Sequence, residues 1–144
     1  MYHYTESGLS NVYLVNGFHV EVIDEEEYTS IDDMNGLHRT IALAIVDSNT
    51  PLTNEEFKFL RIELNLSQKV LANSFGVNEQ TIARYEKNET KIPRTTDASL
   101  RSLFMESLDK NNPVGHFLEL LAEAEAAAEE IRLEEVGDHW KIAA

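Results

Sequence analysis

The first fifty residues alternate apolar and polar positions at short range. Val12-Tyr13-Leu14-Val15 and Phe18-His19-Val20-Glu21-Val22 stand on either side of Asn16-Gly17. β-rich runs around Asn-Gly predict a hairpin, because both turn residues tolerate positive φ. Asp24-Glu25-Glu26-Glu27 reads as the next turn, and Tyr28-Thr29-Ser30-Ile31 as a short third strand. The period then changes. Leu37, Ile41, Ala44 and Ile45 recur on one helical face, behind Asp32 or Asp33 as a cap. This helix is expected to stop near Asp47-Ser48-Asn49, and Thr50-Pro51 breaks the chain.

Four helical patterns follow. Thr53-Asn54-Glu55-Glu56 is a capping box that predicts a helix to about Leu64. Ser67 caps a helix ending near Phe75-Gly76, and Asn78 caps one ending near Lys87-Asn88. Thr95 or Thr96 starts the fourth, with Leu100, Leu103, Phe104 and Leu108 as its buried stripe. A further, long helix is expected from Asn112-Pro113 to Gly137, with proline at its first position and glycine at its end. Along it Phe117, Leu121, Ala124, Ala128 and Ile131 form a seam suited to a partner helix. The expected fold is mainly α, with a small N-terminal antiparallel β element and a long C-terminal helix. Three units are expected: 1–50, a hairpin plus helix; 51–110, the central helical domain; and 111–144, a candidate dimerisation helix.

Charge is unevenly spread over this plan. The net charge is −14, which looks wrong for a partner of nucleic acid until its distribution is read. Residues 1–50 hold one Arg against nine acidic residues, and residues 95–144 hold four basic against eleven acidic. Residues 51–94 hold seven basic against six acidic. The acid lies in the flanks, where it favours solubility and weakens non-specific contact with nucleic acid.

The relieved middle carries the most specific pattern, Leu66-Ser67-Gln68-Lys69-Val70-Leu71-Ala72-Asn73-Ser74-Phe75-Gly76-Val77-Asn78-Glu79-Gln80-Thr81-Ile82-Ala83-Arg84-Tyr85-Glu86. Two short helices meet through a tight turn. Ala72 permits their close crossing and Gly76 accepts positive φ at the turn. On the second helix Ile82 and Tyr85 face inward, while Gln80 and Arg84, four apart, share the outer face. Such a helix fits the major groove, where Gln pairs with adenine and Arg with guanine. Gln80, Arg84, Glu79 and Thr81 are the candidate base-reading residues. Ser67, Gln68, Lys69, Asn78, Asn88, Thr90 and Lys91 are candidates for phosphate, helped by the helix N-termini at Ser67 and Asn78. The competing expectation is that Arg84 only pairs with Glu86 or Glu79 on a solvated face.

These residues resemble a known family. Leu66-Ser67-Gln68, Leu71-Ala72, Phe75-Gly76-Val77, Thr81-Ile82, Arg84-Tyr85-Glu86 and Pro93, within residues 53–108, resemble the Xre/Cro-like helix-turn-helix domains. The run from Ser67-Gln68 through Arg84-Tyr85-Glu86-Lys87 looks especially like the C-terminal half of MqsA-type antitoxins. The resemblance implies dimeric transcriptional repressors, often in toxin–antitoxin operons, with Gln68 on backbone phosphate and Gln80 and Arg84 on bases. The chain departs from those antitoxins in its N-terminal half, where they carry a cysteine-ligated zinc unit and this sequence has no cysteine.

Other chemistry finds little footing. Without cysteine there is no disulfide framework, thiolate zinc site or cysteine nucleophile. His3, His19, His38, His116 and His139 lack metal-ligand spacing, so no metal and no cofactor is expected. No Gly-rich phosphate loop or nucleophile elbow occurs, and no enzyme activity is expected. Trp140 is expected to dock on the core or on a partner chain. No targeting or membrane-spanning segment is visible, which fits a cytoplasmic location. The expected function is a sequence-specific DNA-binding regulator, most simply a repressor. Its homodimer would set two copies of recognition helix 78–87 about 34 Å apart on double-stranded DNA. The alternative is an antitoxin-like interaction module whose acidic N-terminal unit masks a toxin partner, tested by co-purification that deletion of residues 1–50 abolishes.

Overall fold

The computed structural model describes residues 1–108 and 130–143. Its elements are β1 (Tyr2–His3), β2 (Tyr13–Leu14), β3 (Phe18–Ile23), β4 (Glu26–Ile31), α1 (Met34–Val46), α2 (Asn54–Glu63), α3 (Gln68–Phe75), α4 (Glu79–Glu86), α5 (Arg94–Ser107), β5 (Leu133–Val136) and β6 (His139–Ile142). The strands form three separate antiparallel pairs, β1–β2, β3–β4 and β5–β6.

The helix starts follow their local chemistry. The Thr53 hydroxyl accepts from the Glu56 amide at 3.1 Å, and the Glu56 carboxylate accepts from the Thr53 amide at 2.9 Å, a complete capping box. Ser67 accepts from the Val70 amide, Asn78 from the Gln80 amide and Asp33 from the Gly36 amide. α5 begins at Arg94 behind Pro93, a residue earlier than the first of the two expected threonines.

The N-terminal hairpin forms elsewhere than expected. The strands flanking Asn16-Gly17 do not pair with each other. Instead β2 pairs with β1, and β3 pairs with β4 through a two-residue turn at Asp24-Glu25. The tight right-twisting turn needs positive φ at both central residues. Asp24 and Glu25 have φ of 51° and 67°, whereas at Asn16-Gly17 only Gly17 is positive. The segment expected as a short third strand is therefore the full partner, Glu26–Ile31.

The C-terminal expectation changes as well. Most of the expected long helix, including Phe117, Leu121, Ala124 and Ala128, lies outside the described residues. Its expected end does not hold. Gly137 and Asp138, both at positive φ, turn β5 into β6, and Val136 faces His139. The glycine read as a helix stop is half of a hairpin turn. Ile131 is exposed and outside any element, and Trp140, expected to dock, is 71% exposed.

One core spans α1 to α5. Ala42 and Ile45 of α1, Phe57, Phe59 and Leu60 of α2, Leu71 and Ala72 of α3, Ile82 and Tyr85 of α4, and Leu100, Leu103 and Phe104 of α5 bury together. On α1 the inward alanine is Ala42, while Ala44 is exposed. The core crosses residue 50 without a break, and Leu9 from the N-terminal segment joins it. That segment is fastened by polar contacts too. Tyr4 Oη lies 2.7 Å from His38 Nε2, whose Nδ1 lies 2.9 Å from Glu63 Oε1. Burial pushes the Tyr4 phenol above its ordinary range, and Glu6 and Glu63 add to the shift. The Ser10 amide and hydroxyl both donate to Glu55 Oε2.

Arg101 locks the other side of α1. Its guanidinium donates to the carbonyls of Ile45, Val46, Ser48 and Thr50, and to Asp97 Oδ1 at 2.6 Å. Asp97 Oδ2 in turn accepts from the Leu52 amide at 2.8 Å. The end of α1 and the link to α2 are thus held by one arginine of α5.

Candidate nucleic-acid interface

α3 ends as its sequence requires. Gly76 sits at φ 68° in the left-handed region, and Val77 N–H donates back to the Ala72 carbonyl at 3.0 Å. A methyl group placed on Gly76 would meet nothing within 4 Å, so backbone conformation alone selects glycine there. Asn78 then opens α4 at once, and the two helices cross tightly.

α4 has two faces. Ile82 and Tyr85 are buried, and the Tyr85 ring meets Phe57 of α2 edge-on at 5.6 Å. Glu79, Gln80 and Arg84 are exposed on the other side, while Thr81 and Ala83 are half-buried at its flank. Gln80 and Arg84, one turn apart, share the exposed face.

Glu86 closes the inner side. Its carboxylate accepts from Arg61 Nε at 2.6 Å, from Arg61 Nη2 at 2.9 Å and from Gln68 Nε2 at 3.2 Å. The Glu86 and Arg61 side chains are only 4% and 11% exposed. Arg61 also donates to the Leu66 carbonyl, and Asn54 donates to the Glu86 carbonyl. This clamp ties the start of α3 to the end of α4. It also resolves the competition for Arg84: Glu86 is taken by Arg61, and among the described residues Arg84 enters no ion pair.

The residues expected at phosphate fall into two groups. Ser67 and Asn78 are exposed, but their side-chain oxygens cap helices. The Ser67 hydroxyl proton and the Asn78 amide nitrogen are left to donate outward. Gln68 is half-buried and gives one N–H to Glu86, which leaves its second N–H and its oxygen. Lys69 is exposed at the first turn of α3. Asn88, Thr90 and Lys91 are exposed along the loop after α4, which leaves that helix through Asn88 at φ 59°. The Gln68–Glu86 bond brings this loop towards the first turn of α3. Lys87 and Arg94, also exposed, add charge to the same border although the motif did not single them out. The Arg61–Glu86 clamp was likewise missed: partners twenty-five residues apart leave no local signal.

Among the described residues no cluster of three or more metal-ligating side chains occurs, and no helix is long and apolar enough to cross a membrane. No curated protein and no solved structure matches the chain. Residues 57–99 match the family model described as helix-turn-helix, a stretch that runs from α2 into α5 and contains both α3 and α4. No relative supports the more particular likeness to MqsA-type antitoxins. Residues 57–99 of this chain therefore resemble a helix-turn-helix unit, in sequence as in the α3–turn–α4 geometry.

Proposed function

We propose that the protein is a sequence-specific DNA-binding regulator that works by equilibrium binding, with no bond made or broken. The observation that carries this reading is the outer face of α4: Gln80 and Arg84 stand exposed on a helix whose other face is anchored in the core. In this reading α4 enters the major groove, where Gln80 and Arg84 read base edges and Glu79 and Thr81 flank them. Ser67, Gln68, Lys69, Asn78, Asn88, Thr90 and Lys91 hold backbone phosphates and fix the register. A homodimer places two such helices on successive major grooves of a palindromic site. Occupying a promoter there represses transcription by exclusion, in the cytoplasm and without a cofactor. Selection of duplexes from a random pool by the purified chain tests the reading. Arg84→Ala is expected to weaken the selected duplex by about 1–3 kcal/mol and to relax preference at one base position. An unchanged affinity, measured by fluorescence anisotropy, removes Arg84 from base reading.

A further inference from the structure

Two hairpins leave apolar faces uncovered among the described residues, β3–β4 and β5–β6. A lone two-stranded hairpin is marginal in water and gains stability when such a face is covered. In β5–β6 the register puts Leu133, Glu135, Trp140 and Ile142 on one face and Glu134, Val136, His139 and Lys141 on the other. The second face is largely polar, with Lys141 Nζ 3.2 Å from Glu134 Oε1. The first is apolar at three of its four positions, and Leu133, Trp140 and Ile142 are 58%, 71% and 79% exposed.

Charge decides what can cover each hairpin. Residues 18–32 carry Glu21, Asp24, Glu25, Glu26, Glu27 and Asp32 and no Lys or Arg. Two copies meeting there would set like charges face to face. Residues 130–143 carry Glu130, Glu134, Glu135 and Asp138 against Arg132 and Lys141, and two of these acids are paired within the segment. In a chain of net charge −14, this is the apolar face on which a second copy meets the lesser repulsion.

We propose that the Leu133, Trp140 and Ile142 face joins two copies of the chain, packed face to face so that each covers the other. The inference rests on the homodimer in the DNA-binding reading and assigns its interface. Trp140 is the single tryptophan, so it reports contact directly. The full-length chain should sediment as a dimer, and its tryptophan emission should move to shorter wavelength as concentration rises. Ile142→Asp, at an exposed position, should weaken self-association by at least about tenfold, while Val22→Asp in the acidic hairpin should leave it unchanged. The assignment is overturned by a chain that stays monomeric at every concentration, by a dimer that survives Ile142→Asp, or by a dimer that Val22→Asp separates. Failure of the DNA reading shows separately. A dimer that Ile142→Asp dissociates, in a chain that selects no duplex, upholds the interface and removes the regulator.

Discussion

At the scale of single residues, the side chains that face outward on α4 depend on one that faces inward. Glu86 stands two positions beyond Arg84, so the two lie on different faces of the helix and do not compete. Glu86 instead neutralises Arg61 and holds Gln68 in place. Glu86→Ala would leave the Arg61 guanidinium buried without its carboxylate. Breaking a buried pair from one side costs about 3–5 kcal/mol, so a clear fall in thermal midpoint is expected. A midpoint equal to the parent's would show that the clamp contributes nothing. The outer residues Gln80 and Arg84 were legible from spacing alone, because a helical period fixes which positions share a face. The clamp was not, because it joins α2 to α4 through space. Arg101 was hidden for the same reason: its carbonyl partners lie more than fifty positions earlier in the chain.

At the scale of elements, sequence succeeded where the signal is carried by neighbours a few positions apart. The caps at Thr53, Ser67 and Asn78 all form as their residue types require. Gly76 does so as well, and Gly76→Ala makes the dependence measurable. A Cβ there has room, but the left-handed backbone costs a non-glycine residue about 1–2 kcal/mol. Chemical denaturation should show a loss of that size with an unchanged slope, and no loss would mean that the α3–α4 turn relaxes. Sequence failed where one signal has two meanings. Asn-Gly and Gly-Asp both mark turns, but only the pair of φ values decides whether two strands close on them. Asp24-Glu25, with no glycine at all, closes a hairpin that Asn16-Gly17 does not. Gly137 was read as the end of a helix because it follows a strongly helical composition, yet Leu133 to Val136 form a strand whose Leu-Glu-Glu-Val sequence carries no period-two signal.

At the scale of the molecule, the helix-turn-helix unit works inside a strongly acidic chain. The acid at Asp24-Glu25-Glu26-Glu27 lies on a hairpin tip whose residues are exposed, so its field reaches solution and is screened by salt. Replacing these four residues by Asn and Gln is expected to tighten binding to an unselected duplex several-fold at low ionic strength. The gain should vanish near 1 M salt, where the screening length is about 3 Å. Equal affinities at low salt would mean that the acid has no part in discouraging non-specific contact. The fastening of α1 has a wider consequence. Arg101 holds its last carbonyls, and Ala42, Ile45 and Leu9 sit in the same core as the α4 anchor residues. A chain begun at residue 51 would open raw apolar surface on α2 and α5 and strip Arg101 of most of its acceptors. Any activity lost on cutting away the first fifty residues would then report a damaged scaffold rather than a missing contact. Roles for that segment are better sought by single changes on its solvent side than by removing it.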